Sequence, residues 1–372
     1  MGLADLVFPG ANHTRFQHAL GSMHLAGLAM ETLRVKGHNI SEEEFTATQL
    51  ALLLHDTGHG PFSHSLENTL LQQVSHESIS YLIMKHFNEE KKGELELCMK
   101  IFRDSYSRRF FHQLVSSQID MDRLDYLKRD SFFTGVPEGN VNTERILQLL
   151  NIKDGELVVE EKGIYTLENF LNARRLMYWQ VYLHKTSLSA EKLLSSIILR
   201  AKDLARAGID IPATPPLLYF INKETTLDDF SKNDEALLQF IRLDDSDVWG
   251  SIKLWQNHSD QILSLLCSML LQRDLFQLTI SSGAVRKEKL QTLKARISEK
   301  YGILRSDASY FLSFGAISNE AYVAGGDPIN LLDPTGALAE ISEAADLPNI
   351  KAFSKIVSKY YLCHPKNLYL QD

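Results

Sequence analysis

The chain has 372 residues, of which 44% are hydrophobic and 23% are charged, so it can bury a sizeable core and is neither a disordered tail nor a disulfide-stabilised miniprotein. Its 39 basic and 47 acidic residues leave a net charge of −8, which argues against binding long nucleic acid through a general positive field. The three cysteines lie far apart without a CxxC pair, and no apolar run reaches the length of a membrane span. We therefore expect a soluble, cytoplasmic protein with no membrane partner.

Helical periodicity dominates the first two hundred residues. A stripe of apolar or small residues at helical spacing predicts a first helix that is largely buried along this stripe: Phe16, Leu20, Met23, Gly27 and Met30.

A second predicted helix ends in two polar residues. Ser41 and Glu44 form a capping-box pattern ahead of the apolar run 50–54, and a glycine follows shortly after that run. The pattern therefore places His55 and Asp56 at the C-terminal end of a core helix. Polar side chains in such a position need partners, because burying them unpaired is costly.

A third predicted helix spans 114–130 and carries Asp122 on a face that is otherwise apolar or aromatic. A structural role for this acid, as the partner of an arginine, is the main alternative to a ligand role. Arg129 lies four residues after Asp125 and is better explained by that pair, which leaves Asp122 free.

Beyond residue 150 the pattern becomes mixed. Short runs broken by glycines predict a small β-ribbon over 152–165, and helix resumes near 167 and continues past 200. The proline-rich stretch after Ile211 marks a soft boundary. The chain after this boundary predicts helices over 234–241, 252–271 and 287–301 and strands over 275–280 and 310–317.

Histidines are concentrated near the N-terminus. Eight of the thirteen fall between residues 13 and 76: His13, His18, His24, His38, His55, His59, His64 and His76. A first-row metal held by nitrogen and oxygen ligands needs neutral imidazoles and carboxylates, and three predicted helices supply them as His18, His55, Asp56 and Asp122. A single buried histidine is more often a hydrogen-bonded core residue, and we assign structural roles to His13 and His24. No HExxH, P-loop, dinucleotide or GxSxG motif occurs.

Three blocks of the chain, in order and with matching flanks, resemble the HD-domain phosphohydrolases and, among them, the deoxynucleoside triphosphate triphosphohydrolases. The resemblance covers roughly residues 3 to 200, and the C-terminal part only loosely. The blocks are Phe8 to His18, His55 to His64, and Asp120 to Tyr126 followed by Arg129 and Asp130.

The resemblance implies a mainly α fold and a metal-dependent reaction. The expected architecture is an HD-domain helical core over 1–211 with the small β-ribbon inserted, and a smaller α+β part over 212–372. The expected activity is hydrolysis of a deoxynucleoside triphosphate, with dGTP among the candidates, to the deoxynucleoside and triphosphate. The expected cofactor is one divalent ion of iron, manganese, nickel, zinc or magnesium.

The resemblance also assigns roles to individual residues. His18, His55, Asp56 and Asp122 correspond to the metal ligands. Histidines that line the family's active site correspond to His59, His64 and His76, and the group of His64, Glu67 and His76 is assigned the proton donor to the leaving 5′ oxygen. Substrate contacts are assigned to Arg15, Arg123, Tyr126, Asp130, Arg174, Tyr182 and Lys185. Spacing would place Arg174, Tyr182 and Lys185 on one helical face.

The family implies a homo-oligomer, a dimer or a tetramer, and regulated members carry an activating-nucleotide site that includes residues upstream of the matched blocks. Two other functions stay open. One keeps the metal site but acts on a nucleoside monophosphate, a cyclic dinucleotide or a short oligonucleotide. The other is a nucleotide-sensing or scaffold protein that binds without turnover.

Overall fold

The computed structural model describes residues 2–71, 73–232, 234–319, 328–345 and 357–368. These residues form a mainly α-helical protein with two small β-sheets, as the sequence predicts. None of the described helices combines the length and apolar character that crossing a lipid bilayer requires.

Seven helices make up the N-terminal part of the described chain. They are α1 (Arg15–Val35), α2 (Glu42–Leu54), α3 (His64–Leu70), α4 (His76–Glu90), α5 (Glu96–Phe102), α6 (Phe110–Val115) and α7 (Met121–Thr134). Capping boxes start both α1, at Thr14 and Gln17, and α2, at Ser41 and Glu44. The predicted start and end of α2 are confirmed, because His55 lies directly after its last residue.

The buried face of α1 differs from the prediction. Phe16 is 66% exposed and Leu20 is 39% exposed, so the large apolar residues do not mark the core side of its first turns. Small residues such as Ala19, Ser22 and Ala26 face the interior instead. Their small side chains allow α1 to pack closely against α2 and α7, which are its main neighbours.

The prediction of a single helix over 114–130 is wrong. The structure divides it into α6 and α7, with an irregular segment between them. Asp120 starts α7 because its carboxylate accepts hydrogen bonds from the backbone N–H groups of Arg123, at 2.7 Å, and Ser117, at 2.8 Å. This N-cap aims the first turn of α7, which carries Asp122, toward α1.

A β-hairpin and three helices follow, and the predicted ribbon is confirmed. The elements are α8 (Thr143–Leu149), β1 (Leu150–Lys153), β2 (Glu156–Glu160), α9 (Ile164–Met177) and α10 (Lys185–Arg206). Asp154 and Gly155 both have positive φ and make the two-residue turn of the hairpin. The helix expected to run from 167 past 200 is interrupted by a π-helical segment, Tyr178–Tyr182, before α10 begins.

The C-terminal region is α+β, as predicted. Its elements are α11 (Pro215–Asn222), α12 (Leu227–Lys232), α13 (Asp234–Arg242), α14 (Asp245–Trp255), α15 (Gln261–Leu271), β3 (Gln277–Ser281), α16 (Lys287–Tyr301), β4 (Ser313–Asn319), β5 (Asn330–Leu332), β6 (Leu338–Glu340), α17 (Ile341–Ala344) and β7 (Val357–His364). The helix predicted over 252–271 is two helices, because Asp260 caps α15 by accepting a hydrogen bond from the N–H of Leu263.

Both sheets and both core clusters connect distant parts of the sequence. One sheet has the order β1-β2-β5-β6, with β2 and β5 parallel, and the other has the antiparallel order β3-β7-β4. One core cluster lies among α1, α2 and α5 to α9. The second joins α3, α4 and α10 to the helices of the C-terminal region, so buried side chains from 1–211 and 212–372 share it. The division at residue 211 stays a prediction.

Candidate metal centre and active site

The structure brings the four predicted metal ligands together from three helices. His18 comes from α1, His55 and Asp56 follow the last residue of α2, and Asp122 lies in the first turn of α7. Nε2 of His18 is 2.9 Å from Oδ1 of Asp122 and 3.9 Å from Oδ2 of Asp56. One ligand atom each from His18, His55 and Asp56 lies within 4.8 Å of the others.

Both imidazoles are oriented by hydrogen bonds from Nδ1. His18 donates to Oδ2 of Asp125 at 2.7 Å, and His55 donates to the carbonyl oxygen of Leu52 at 2.6 Å. Nε2 of His55 has no hydrogen-bond partner among the described residues, and carboxylate oxygens of Asp56 and Asp122 lie 3.4 and 3.6 Å from it. Metal-binding histidines are held in this way, so the donor set fits a divalent cation.

The charges of the centre favour a positive partner. Burial lowers the pKa of His18, but hydrogen bonds to Asp122 and Asp125 and the charges of Asp122 and Asp56 outweigh this effect and raise the pKa to about 10. Burial likewise opposes protonation of His55, whereas the charges of Asp56 and Asp122 raise its pKa to about 9. The acids therefore hold positive charge between them, and a divalent ion supplies the same charge compensation as two imidazolium protons.

Asp125 is a site residue that the sequence analysis missed. Its predicted pair with Arg129 is present, with Arg129 donating two hydrogen bonds at 2.8 and 2.7 Å, but the same carboxylate also accepts from His18. The backbone of α1 at Gly21 lies so close to this pair that a Cβ would collide with it. The available signal was the position of Asp125 three residues after Asp122, on nearly the same side of α7.

Next to the metal centre lies a second group, which we call the Glu67 cluster: His59, His64, Glu67 and His76. The carboxylate of Glu67 accepts from Nδ1 of His64 at 3.0 Å and from both Nδ1 and the backbone N–H of His76 at 3.0 Å. The rings of His59 and His76 stack at 3.9 Å between centroids. Glu67 thus orients the rings of His64 and His76 through Nδ1, and the Nε2 atom of each ring takes no part in these bonds.

His59 connects the two groups through Asp56, and Arg15 bonds to the same carboxylate. Nε2 of His59 is 3.5 Å from Oδ1 of Asp56, and Arg15 donates to Oδ2 of the same carboxylate. Arg15 also donates to Oγ of Ser63, from Nε at 3.1 Å and from Nη2 at 2.5 Å. Burial and the nearby charge of Arg15 lower the pKa of His59 to about 4, so its ring is neutral at pH 7.

Three of the residues assigned to substrate contacts lie together: Tyr126, Asp130 and Tyr182. The hydroxyl of Tyr182 donates to Oδ2 of Asp130 at 2.7 Å, and Nε2 of His13 contacts the other oxygen of Asp130 at 2.7 Å. The rings of Tyr126 and Tyr182 meet edge to face with centroids 6.1 Å apart. His13 therefore has the structural partner that the sequence analysis expected, and that partner is itself a predicted site residue.

Three predicted cations differ in their surroundings. Arg174 is buried and donates to Oε1 of Gln118 at 3.0 Å, while Arg123 donates to the N-cap residue Asp120. The Nε groups of both arginines are buried without a partner among the described residues. Lys185 is exposed, and its ammonium bonds to none of the residues that the structure describes.

The prediction that Arg174, Tyr182 and Lys185 share one helical face is wrong, because the three residues lie in different elements. Arg174 belongs to α9, Tyr182 ends the π-helical segment and Lys185 begins α10. The extra residue per turn of a π-helix rotates the side chains that follow it, so simple α-helical spacing does not apply across this segment. Gln118, the partner of Arg174, was not singled out from the sequence, because it lies 56 residues away in the irregular segment before α7.

Comparison with known proteins gives two family matches. The HD domain family matches residues 15–130, and the HD associated region matches residues 141–207. An uncharacterized Bacillus subtilis protein, YwfO, is 31% identical over 99% of this chain and 84% of its own length. The crystal structure of a phosphohydrolase from Bacteroides thetaiotaomicron is 48% identical, with a TM-score of 0.94 over 98% of this chain and 91% of that one.

A relative whose name includes an activity matches a smaller part of this chain. A Dictyostelium discoideum protein named a deoxynucleoside triphosphate triphosphohydrolase SAMHD1 homolog is 29% identical over 54% of this chain, and the match spans 43% of its length. The matched HD region begins at Arg15, contains His18 and the His55-Asp56 pair, and ends at Asp130. These matches show that the chain is a member of the HD-domain phosphohydrolases, with relatives that resemble SAMHD1.

Proposed function

We propose that this phosphohydrolase acts on deoxynucleoside triphosphates and releases the deoxynucleoside and intact triphosphate. The observation that carries the proposal is the contact between His59 of the Glu67 cluster and Asp56 of the metal centre, with Arg15 bonded to the same Asp56 carboxylate. This arrangement places a cation-binding group, a fixed arginine and a histidine acid side by side. Each of these groups can accelerate cleavage of a phosphate ester, the histidine by protonating the leaving oxygen and the positive charges by stabilising the transition state.

His18, His55, Asp56 and Asp122 are the residues that would hold the divalent ion. When bound, such an ion polarises phosphate oxygens and lowers the pKa of water toward about 7. Asp125 keeps His18 in the orientation that turns Nε2 toward the two acids. The hydrogen bond from His55 to the Leu52 carbonyl does the same for the second imidazole.

The Glu67 cluster supplies the proton for the leaving group. Burial raises the pKa of Glu67, but hydrogen bonds from His76 and His64 outweigh it and lower the pKa to about 2. Glu67 is therefore a carboxylate at neutral pH. It therefore accepts from Nδ1–H of both imidazoles. As water attacks the α-phosphorus and the P–O5′ bond breaks, the departing oxygen takes a proton from this histidine group.

Fixed cations compensate the charge of the triphosphate. A triphosphate carries roughly four negative charges, and a net-acidic protein must meet them with local arginines and lysines. Arg15 is already oriented by Ser63 beside Asp56. The Nε groups of Arg123 and Arg174, which have no partner in the part of the chain that the structure describes, are donors in need of an acceptor. Lys185 adds a fourth cation.

Tyr126, Tyr182 and Asp130 support the assignment of a deoxyribose. Burial raises the pKa of the Tyr126 hydroxyl, and the nearby charges of Arg174 and Arg123 oppose this shift. The Tyr182 hydroxyl is bonded to Asp130, and the rings of Tyr126 and Tyr182 meet edge to face. A tyrosine packed closely against the sugar would exclude a 2′-hydroxyl by its bulk, which favours deoxyribonucleotides.

A product analysis tests the proposal. The purified protein is incubated with Mn²⁺ and an equimolar mixture of the four deoxynucleoside triphosphates, and with the ribonucleotides in parallel. We expect tripolyphosphate and deoxynucleosides from the first mixture and little reaction in the second. Release of pyrophosphate or single phosphate would contradict the assignment and favour another nucleotide substrate. Tight nucleotide binding without turnover would favour the sensor.

We also propose that the protein forms a homo-oligomer. Phe16 on α1 and Phe132 on α7 are 66% and 78% exposed, and these two helices pack against each other. Large apolar side chains exposed on neighbouring helices are typical of contact surfaces. Light scattering on the eluted protein, with and without added nucleotide, measures the assembly and its response to an activating nucleotide.

A further inference from the structure

The segment that leads into α3 has a strained backbone. Phe62 and Ser63 both have positive φ, 54° and 55°, and ψ of Ser63 is −132°. A residue with a side chain adopts such a conformation only when its surroundings impose it, at a cost of about 1–3 kcal/mol. Two consecutive residues of this kind, between the HD motif and His64, point to a functional constraint.

The surroundings that impose this conformation belong to the C-terminal region. Oδ1 of Asp245, the first residue of α14, accepts a hydrogen bond from the backbone N–H of Phe62 at 2.8 Å. The ring of Trp249 packs edge to face on the ring of Phe62, with centroids 5.6 Å apart. Phe240, near the end of α13, lies close against Gly60.

The strained turn sets the position of the Ser63 hydroxyl. Oγ of Ser63 forms no cap on α3, whose start has no side-chain hydrogen bond among the described residues, and instead accepts two hydrogen bonds from Arg15. Arg15 in turn donates to Asp56. A chain of contacts therefore runs from Asp245 through the Phe62–Ser63 backbone to the guanidinium that faces the metal centre.

We propose that Asp245 is a positioning residue for the polyphosphate site, and that the C-terminal region thereby orients Arg15. Without the acceptor at Asp245, the Phe62–Ser63 turn relaxes toward ordinary backbone angles. The Ser63 hydroxyl then withdraws from Arg15, and the guanidinium loses one of its two anchors. The inference rests on the proposed function in one respect only, the assignment of Arg15 as a phosphate ligand.

The test measures binding of inorganic tripolyphosphate to the Mn²⁺-loaded protein by calorimetry, without turnover. Asp245→Ala is expected to weaken binding about tenfold, the change that loss of one charged hydrogen bond produces. Asp245→Asn keeps an oxygen acceptor and is expected to restore most of the affinity. Asp244→Ala is the matched control, because Asp244 caps α14 but does not contact the turn. It should lower the melting temperature and leave the affinity unchanged.

A double-mutant cycle tests whether the effect passes through Ser63. If it does, Ser63→Ala alone weakens binding, and adding Asp245→Ala to it changes little more. Additive effects, an equal loss in Asp244→Ala, or an unchanged affinity in Asp245→Ala would overturn the proposal, as would absence of tripolyphosphate binding by the unmodified protein. A protein that binds tripolyphosphate in this pattern but hydrolyses no deoxynucleotide would refute the proposed function and leave the role of Asp245 standing.

Discussion

The metal centre and the Glu67 cluster lie side by side but have opposite balances of histidine and carboxylate. Two imidazoles in the metal centre contact Asp56, Asp122 and Asp125. In the Glu67 cluster, two imidazoles share the Glu67 carboxylate and a third, His59, stacks on His76. An excess of buried carboxylates is stable only with added positive charge, which a cation provides. An excess of imidazoles around one carboxylate leaves ring nitrogens that can exchange protons. The number of neighbouring acids, more than the histidines themselves, determines which group binds a cation and which exchanges protons.

The strongest test of this comparison removes one histidine from the metal centre. His18→Ala is expected to abolish stoichiometric metal binding and to lower triphosphate release by more than about a thousandfold, since a bound cation supplies several kcal/mol of charge stabilisation. His24→Ala is the matched control, because His24 lies on the same helix but is exposed. Elemental analysis and product release are measured on the same samples. Normal metal content in His18→Ala would end the assignment of the centre.

A second test separates the two groups by metal content. His64→Gln and His76→Gln are each expected to lower turnover by about a hundredfold to ten-thousandfold, as loss of a general acid does, while the metal remains bound. A substrate with an aryl leaving group, which departs without protonation, should recover most of the lost rate. Loss of metal in these variants would show that the Glu67 cluster belongs to the cation site and would break the comparison.

The sequence allowed the metal centre to be predicted because its members violate local patterns. His18, His55 and Asp122 interrupt apolar stretches of helix, and such interruptions are visible without knowledge of the fold. The ends of α2 were equally accessible, since the capping box at Ser41 and the residues after Leu54 are local signals. What these signals share is that each depends on neighbours within about one helical turn.

Features that depend on distant partners were not predictable. Phe16 and Leu20 have the periodicity of a core stripe, yet the partners of α1 pack against its small residues. The break before α7 was missed for a different reason, because Asp120 caps the helix locally but the continuous apolar pattern around it predicts one unbroken helix. Asp245 lies 183 residues from its partner Phe62, and no spacing rule connects them.

A third test concerns a cation that lies in neither histidine group. Lys185→Ala is expected to raise KM for the deoxynucleotide about tenfold and to leave metal content and kcat nearly unchanged, because a flexible, exposed ammonium contributes to ground-state binding of the phosphates. Lys162→Ala serves as control, since Lys162 is an exposed residue paired with Glu160 in the hairpin region. Equal KM values for the two variants would remove Lys185 from the substrate site.

The smallest expected effect is on stability, and it comes from Glu67. Its pKa of about 2 lies below the ordinary value of 4.5, so its contribution is present above pH 4.5 and is lost as the pH falls from 4.5 toward 2. Because the carboxylate is partly exposed to solvent, that contribution is about 1 kcal/mol once screening is allowed for.

Urea unfolding of Glu67→Gln and the unmodified protein measures this difference at two pH values. At pH 7 the variant is expected to be less stable, since glutamine accepts fewer and weaker hydrogen bonds from His64 and His76. Near pH 2.5 the two free energies of unfolding should converge, because the glutamate is then largely protonated in the unfolded chain and partly protonated in the folded one. A constant difference across this range would mean that Glu67 acts by packing alone, and the charge contrast between the two histidine groups would lose its basis.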